Sequence, residues 1–271
     1  MKKLIATAIA SIGIAASAPA SAFIVGGIDF GSAGNTHLET ATLAETYING
    51  VGQNLTAYGQ VTTVNGDTTY CANNSANCSL YYVLNNFTST SFTGTQVQFT
   101  GGTVDLYYSA APAINLQSQS SPTNIATIQG MTKWVQLAGH TFADPSFLGT
   151  QTLNGFGTLT GQTLSIFGAG QLDVVSGWGN AGVELALDTN TIGDLLGGFA
   201  DVAFTASSNN FVLNPNDDIA SCSTGNPTAG AWCLQGTSNI RGTYVPEPGS
   251  LALLGLGLAG LGFRARRKSE L

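Results

Sequence analysis

Apolar and polar residues alternate in short runs along most of the chain, and the alternation has a period of two residues. That period is typical of strands with one buried face, and the runs are rich in the threonine, valine, tyrosine and phenylalanine that strands favour. One stretch, 191–196, fits a single helical turn. The pattern predicts strands at 41–48, 55–64, 80–87, 95–100, 103–108, 133–137, 156–159, 163–167, 171–175, 183–187, 201–206 and 240–245.

Turn signals separate these runs. A faint internal repeat predicts two hairpins of one design, with turns at Gly101-Gly102 and 168–170 and with Asp105 and Asp173 at matched places. Many short strands at this spacing predict an all-β fold, an antiparallel β-sandwich with a jelly-roll-like arrangement. Three Asn-Gly pairs favour tight turns because both residue types tolerate positive φ: Asn49-Gly50, Asn65-Gly66 and Asn154-Gly155.

The charge inventory narrows the classes of partner. Between residues 23 and 244 the sequence has thirteen acidic residues and two basic ones, Lys133 and Arg241, which gives a formal charge of −11. Charged residues make up 8% of the whole chain, against ~25% in a typical domain. Because the cations that phosphates require are missing, we expect no nucleic-acid partner. A hydroxyl- and amide-rich surface suits hydrogen bonding to sugars or self-association with like chains.

The first residues have the features of a secretory signal peptide. Lys2 and Lys3 precede an uncharged apolar stretch at 4–18, and the Ala-Ser-Ala sequence at 20–22 fits a cleavage site. We therefore predict that signal peptidase removes residues 1–22, so that the mature protein begins at Phe23. A retained membrane anchor is the alternative, but the apolar run is shorter than the ~20 residues that a span needs.

Export makes the disulfide the default state of cysteine. The chain has four cysteines, Cys71, Cys78, Cys222 and Cys233, and three pairings are possible. We predict the local pairing, Cys71 with Cys78 and Cys222 with Cys233, which closes two short polar loops. A zinc site fits poorly, because the spacings do not match and the chain has only 2 histidines.

The other end of the chain, 245–271, combines three features in order. A Pro-Glu-Pro motif comes first, and an uncharged apolar segment at 251–263 follows, which predicts a short transmembrane helix. A basic stop closes the tail and should stay on the cytoplasmic side of the membrane. The motif consists of Val245, Pro246, Glu247 and Pro248, and the stop consists of Arg264, Arg266, Arg267 and Lys268.

This tail resembles the PEP-CTERM sorting domain. The resemblance implies recognition by an exosortase, an integral membrane cysteine peptidase of Gram-negative bacteria, in a system that usually accompanies exopolysaccharide production. It also implies an inner-membrane intermediate, followed by a location at the cell surface or in the extracellular matrix. Together with the strand pattern, the chain is similar to the flocculation-associated branch of these proteins. An ordinary C-terminal membrane anchor is the alternative.

Signals for other chemistry are weak. The sequence contains no G-x-S-x-G nucleophile motif and no phosphate-binding or dinucleotide fingerprint, and we expect no cofactor. We interpret His37 and His140 as solvated or structural. Asp217 and Asp218, in a turn-like stretch, are weak calcium candidates because hard cations prefer oxygen ligands. Trp178, between two glycines, is a weak candidate for stacking on a sugar ring.

The sequence thus predicts a signal peptide at 1–22, an extracellular β domain at 23–244 and a sorting tail at 245–271. We interpret the protein as a non-catalytic cell-surface or matrix protein, processed by exosortase and associated with flocculation or biofilm. A carbohydrate-binding module is the first alternative, and an exposed aromatic strip would favour it. A secreted polysaccharide hydrolase is the second, and a cleft with two acids ~5–10 Å apart would favour it.

Overall fold

The computed structural model describes residues 22–31, 34–72, 77–161, 163–222 and 227–244. Strands dominate these residues. The helical elements described are α1 (Ser121–Gln129), α2 (Ala181–Leu187) and a 3-10 turn at Ile219–Ser221. The strands are β1 (Ile24–Val25), β2 (Ile28–Asp29), β3 (Asn35–Glu45), β4 (Asn54–Val61), β5 (Thr63–Val64), β6 (Ser79–Phe92), β7 (Gln96–Ser109), β8 (Thr132–His140), β9 (Phe142–Ala143), β10 (Thr150–Gln151), β11 (Leu153–Thr158), β12 (Ser165–Val175), β13 (Ile192–Gly193), β14 (Phe199–Ala200), β15 (Val202–Asn209) and β16 (Leu234–Thr243).

The main sheet closes on itself through antiparallel pairings. β3, β4, β6 and β7 lie side by side, and β12, β15 and β16 continue the path until β16 pairs with β3. β8 and β11 lie between β7 and β12, each paired with a different half of those two strands. The result is a barrel with eight strand positions, because β8 and β11 share one.

The prediction of an antiparallel all-β fold is confirmed, whereas its jelly-roll-like part needs correction. Neighbouring strands of the barrel follow one another along the chain, which is an up-and-down arrangement. A jelly roll brings together strands that are distant in chain order. The pattern of alternating residues could not make this distinction, since one face of the sheet is buried in either architecture.

Two strands run through positions at which glycines predicted hairpin turns. β7 continues through Gly101 (φ 66°) and Gly102 (φ 85°), and β12 continues through residues 168–170. On the strand paired with β7, Asn86 also has a positive φ of 59°, so that both strands change direction together. A closed sheet requires such local bends, and glycine adopts the backbone conformations that provide them. The two predicted hairpins are therefore wrong, and each is one long strand.

The Asn-Gly pairs differ in whether they form the predicted turn, and strand pairing decides the difference. Asn65 and Gly66 have φ values of 52° and 83° and form the predicted turn after β5. Asn154 and Gly155 instead lie inside β11, in register with β12. The local preference for a turn therefore yields to strand pairing where the barrel passes through it.

Helix α2 occupies the predicted strand 183–187. The side chain of Asn180 accepts hydrogen bonds from the backbone N–H groups of Gly182 and Val183, which is the contact that begins a helix. The predicted helical turn at 191–196 is wrong as well, because it contains β13.

The two ends of the barrel are built differently. We call the end at which β3 begins and β16 ends the plugged pole, defined by the aromatic residues Phe23, Phe30, Trp134 and Tyr244. The rings of Phe23 and Tyr244 stack with 4.5 Å between centroids, and Nε1 of Trp134 donates to the carbonyl of Gly26 at 3.0 Å. These side chains fill the opening beneath the β1–β2 hairpin, so this end is closed by an aromatic core.

We call the opposite end the cavity pole. It is covered by a small cluster of Tyr47, Leu164, Cys233 and Leu234. The Tyr47 hydroxyl donates to the carbonyl of Leu159 at 2.9 Å, which fastens the loop after β11 over this end. Beneath the cover, the interior is less completely filled than at the plugged pole.

A second core lies outside the barrel. Helix α1 packs over β4, β6 and β7, and Nδ2 of Asn124 donates to the Tyr58 hydroxyl at 3.0 Å. The buried residues of this layer are Ala44, Tyr58, Tyr81, Val83, Tyr107, Leu116, Ile128 and Leu213. One side of the barrel is therefore covered by a helix that side-chain hydrogen bonds hold in place. The helix removes the apolar outer surface of that side from water.

The bend at Gly102 provides a test of barrel closure. A Cβ at Gly102 would lie 2.3 Å from the Phe87 ring, whereas a Cβ at Gly66, with almost the same φ, meets nothing within 4 Å. We expect Gly102→Ala to lower the free energy of unfolding by about 1–3 kcal/mol more than Gly66→Ala, because the positive-φ penalty is shared and only the clash differs. Urea unfolding of both variants measures this, and equal losses would contradict the packing described.

Candidate functional sites

The two predicted disulfides are confirmed, and they fasten opposite poles. Cys71 pairs with Cys78 with 5.7 Å between Cα atoms, and Cys222 pairs with Cys233 with 5.2 Å. The first lies beside the β1–β2 hairpin, since Cys71 forms a bridge with Ile28. The second belongs to the cover of the cavity pole. Each bond therefore joins two chain segments at one end of the barrel.

A cavity occupies the barrel interior beneath the cover of the cavity pole. Its empty volume is ≈ 570 Å³, a figure that includes open solvent at its mouth. Most of its wall is apolar, and the polar side chains in the wall are those of Glu45, Asn154 and Ser208. The remaining wall consists of Ile48, Leu55, Ala57, Leu84, Val97, Phe99, Leu153, Gly155, Leu159, Ile166, Gly168, Phe204, Ala206 and Leu234.

Glu45, at the end of β3, is the one ionisable residue among the described residues of the cavity wall. Burial raises the pKa of its carboxyl group from 4.5 to about 7, and a hydrogen bond with Ser208 opposes part of that rise. The side chain keeps some accessible surface, which we attribute to the cavity that it lines. An acid with a raised pKa in an apolar pocket is a typical sign of a functional site.

The raised pKa of Glu45 predicts how the free energy of unfolding depends on pH. Below pH 4.5 the carboxyl is protonated in both states and has no effect. As pH rises towards about 7, the unfolded state ionises first, and the folded state loses stability relative to it. We expect Glu45→Gln to be more stable than the parent protein at pH 8, by at most about 3 kcal/mol, because water in the cavity reduces the penalty. At pH 4 the two should be equal.

Glu39→Gln is the matched control, because it makes the same change at an exposed position of the same strand. Surface changes of this kind stay within about 0.5 kcal/mol. Denaturant unfolding at pH 4 and pH 8 measures all three proteins. A Glu45→Gln variant that is less stable than the parent at pH 8 would show that the carboxylate is well solvated.

A row of exposed and half-buried side chains crosses the outer surface of five strands. Phe156 and Phe167 pair directly across β11 and β12, are 47% and 51% exposed, and stack with 5.8 Å between ring centroids. Gln96 pairs with Phe156 on one side, and Ser207 and Thr237 continue the row on the other. We call these five residues the outer row. It combines an aromatic surface with neutral hydrogen-bonding groups.

Trp178, the residue singled out from the sequence for sugar stacking, is half-buried. Its ring makes an edge contact with Tyr107 at 5.5 Å, and Nζ of Lys133 lies 4.9 Å from the ring centroid. The ammonium group thus occupies one face of the indole. The geometry favours the two phenylalanines of the outer row as an aromatic platform.

His140 lies between two carboxylates. Its Nδ1 is 2.8 Å from Asp173 and its Nε2 is 2.8 Å from Asp194. Burial lowers the pKa of His140, but the hydrogen bonds to Asp194 and Asp173 outweigh burial and leave the pKa above the usual 6.5. The stabilising contact is therefore fully present below pH 6.5 and is lost as pH rises through the raised pKa.

This arrangement is a clamp for the β13–β14 hairpin. Asp194 also accepts hydrogen bonds from the backbone of Leu196 and Gly198, at 2.6 and 2.9 Å. Because both acids are bound to one imidazole, they do not form the free, facing pair that glycoside hydrolysis requires.

The two calcium candidates are engaged in local structure. Asp217 accepts hydrogen bonds from the backbone N–H and the hydroxyl of Ser121, at 2.8 and 2.5 Å. Asp218 accepts from the backbone of Ala220 and the hydroxyl of Ser221 and begins the 3-10 turn. Within the described ranges, no group of three or more His, Cys, Asp or Glu residues could hold a metal ion.

The described chain ends at Tyr244, a buried residue of the plugged pole. The sorting-motif and basic-stop residues predicted from the sequence follow it and lie outside the described residues, as do the predicted signal peptide and transmembrane segment. None of the helices within the described ranges is long and apolar enough to cross a bilayer. The boundaries of the predicted domains therefore stay predictions.

Comparison with known families covers the part that follows Tyr244. Residues 245–268 match the model of the PEP-CTERM protein-sorting motif. The chain carries a PEP-CTERM sorting motif. The match includes the Pro-Glu-Pro sequence and the basic stop, and the motif indicates processing by an exosortase and a destination at the cell surface or outside the cell. No curated protein and no solved structure matches the chain.

Sequence reasoning missed the cavity and the outer row. One signal was available for the cavity, because Glu45 falls between Leu43 and Tyr47 on the same phase of a predicted strand. A carboxylate among apolar residues of one face is unusual and indicates a special role. The outer row had no comparable signal, since Phe156 and Phe167 become neighbours only through strand register.

Proposed function

We propose that this protein is an exosortase-processed cell-surface or matrix protein of a Gram-negative bacterium, in which the barrel acts by association and not by catalysis. In this proposal it contributes to cohesion between cells and exopolysaccharide, as in flocculation or biofilm. The observation that carries the proposal is the match of residues 245–268 to the PEP-CTERM motif.

The position of the two domain boundaries supports display of the barrel. Phe23, the first residue after the predicted signal cleavage, stacks on Tyr244, the last residue before the matched motif. Both processed ends therefore belong to the plugged pole. While the tail holds the protein at the membrane, the cavity pole would face away from it.

The carboxylates of the barrel support a non-catalytic role. Glu184 accepts three backbone hydrogen bonds, from Gly177, Trp178 and Gly179, and is fully used in holding a loop. Within the described part of the chain, the cavity wall contains a single acid, Glu45. Glycoside hydrolysis ordinarily requires two, one on each side of the bond to be cleaved.

The sorting motif has a direct test. We expect replacement of Pro246, Glu247 and Pro248 by alanine to leave export intact, because the signal peptide is unchanged, and to leave the protein uncleaved in the inner membrane. Fractionation of the cells, followed by intact mass of the protein in each fraction, measures the outcome.

Glu270→Ala is the control, since it removes a carboxylate of the tail that lies beyond the matched residues. It should be released like the parent protein. Normal release of the triple variant would contradict the proposal that an exosortase processes the protein.

A carbohydrate-binding role is the second candidate, and the outer row is the observation that favours it. Stacked, half-exposed rings present apolar area to a sugar ring, while Gln96, Ser207 and Thr237 supply hydrogen-bonding groups beside them. The surface needs no charge to bind a neutral polymer. This role is compatible with a matrix location.

We expect the Phe156→Ala/Phe167→Ala double variant to bind the host's exopolysaccharide roughly 10- to 100-fold more weakly, since each aromatic contact contributes ~0.5–1.5 kcal/mol. Phe211→Ala is the control, because Phe211 is also exposed but lies outside the row. Affinity electrophoresis in the polymer measures the change. Unchanged binding would remove the outer row from the proposal, and release of reducing sugar would favour the hydrolase alternative.

A further inference from the structure

The cavity has a chemical character that the proposed surface role does not use. Its wall is apolar except for the Glu45 carboxyl, the Ser208 hydroxyl and Asn154. We propose that the cavity binds a small lipophilic amine, with the protonated head paired with Glu45 and the hydrocarbon part against the apolar wall. This inference rests on the barrel alone and is independent of the sorting tail.

Charge determines which head group fits. The two basic residues of the domain lie elsewhere: Lys133 contacts Trp178, and the side chain of Arg241 contacts His37. Neither belongs to the cavity wall. A bound carboxylate or phosphate would therefore have no counter-charge and would be repelled by ionised Glu45. An ammonium group supplies the missing cation, and its hydrogen bonds to a carboxylate are charge-assisted.

Hydrogen-bonding capacity points the same way. A carboxylate has acceptor sites for about four hydrogen bonds. Ser208 supplies one partner to Glu45. An ammonium group has three N–H donors and no acceptor. Its donors therefore match the acceptor sites of the Glu45 carboxylate that Ser208 does not occupy.

Two glycines form part of the wall that would contact the hydrocarbon part. Gly155 and Gly168 pair directly with one another across β11 and β12, and both line the cavity. The empty volume of ≈ 570 Å³ sets an upper limit on ligand size because it includes open solvent. A short alkyl chain fits this description better than a long lipid.

Retention of Glu45 also argues for a ligand. An uncompensated acid among apolar side chains destabilises the folded state at neutral pH, and glutamine would remove that penalty with little change in shape. Residues that reduce stability in this way are typical of binding sites. A ligand cation would offset the penalty by pairing with the charge.

The test uses the disulfide-bonded protein recovered from the producing cells and three probes with one tail. Hexylamine, hexan-1-ol and hexanoate differ only in the head group, and methylamine has the cationic head without the tail. We expect hexylamine at pH 8 to bind at least about 10-fold more tightly than hexan-1-ol. Hexanoate and methylamine should show no saturable binding by titration calorimetry.

The affinity for hexylamine should depend on pH through Glu45. The amine stays protonated up to pH 9, whereas Glu45, with a pKa of about 7, is ~1% ionised at pH 5. We therefore expect binding at pH 5 to fall towards the affinity of hexan-1-ol, at least about 10-fold weaker than at pH 8–9. Among the residues that the structure describes, no other ionisable one lines the cavity from β4, β6, β7, β11, β12, β15 or β16. Tyr82 lies close enough for the Glu45 charge to raise its pKa, which burial also raises.

Two variants separate this site from general attraction of amines to an acidic protein. Glu45→Gln should reduce hexylamine affinity to that of hexan-1-ol and abolish the pH dependence. Glu39→Gln removes the same charge from the outer face and should leave both properties unchanged. A third variant, Gly168→Val, narrows the cavity and should weaken hexylamine and hexan-1-ol alike, since a Cβ there meets its nearest atom at 3.4 Å.

The outcomes are decisive in either direction. Tighter binding of the amine that is lost in Glu45→Gln and kept in Glu39→Gln supports the proposal. Equal binding of hexanoate and hexylamine, binding that survives Glu45→Gln, or no binding of any probe by the folded protein would overturn it. Circular dichroism of each variant confirms that the fold is intact before binding is measured.

Discussion

The pairing of the last strand of the barrel with the first is the interaction on which the rest of the structure depends. β16 and β3 are joined from Leu234–Glu45 at one end to Thr243–Asn35 at the other, although they stand at opposite ends of the domain sequence. This pairing removes both edges of the sheet, which would otherwise expose unpaired N–H and C=O groups. It also creates an enclosed interior, and the shape of that interior decides what each pole can contain.

Closure explains why parts of the fold could not be predicted from the sequence. The alternation of apolar and polar residues predicts where strands lie and which of their faces is buried, and most of the predicted strands exist. The same alternation serves an open sandwich and a closed barrel, so architecture depends on long-range pairing that no local pattern records. The glycines of β7 and β12 favour turns by local preference, but they lie inside long strands, and in β7 Gly101 and Gly102 adopt positive φ values. The disulfides were predictable because short loops limit the pairing.

The same limit applies to the candidate sites. The sorting motif is contiguous in sequence and was found by its order of parts, which the family match supports. Glu45 left a trace in the sequence because it breaks the apolar phase of its strand. Phe156 and Phe167 left none, since eleven positions separate them and only the register of β11 with β12 stacks their rings. A site formed by residues that strand register brings together cannot be recognised until that register is known.

The two poles of the barrel meet two requirements that one end alone could not meet. A fastening point needs dense packing, and the plugged pole has it: stacked aromatic rings, the Cys71–Cys78 bond and both predicted processing boundaries. A binding site needs unfilled space, which lowers stability wherever it is placed. The barrel separates them by its length, so that the space around Glu45 lies away from the contacts that hold the chain ends. The second disulfide, Cys222–Cys233, then stabilises the cover of the less densely filled end without occupying the cavity.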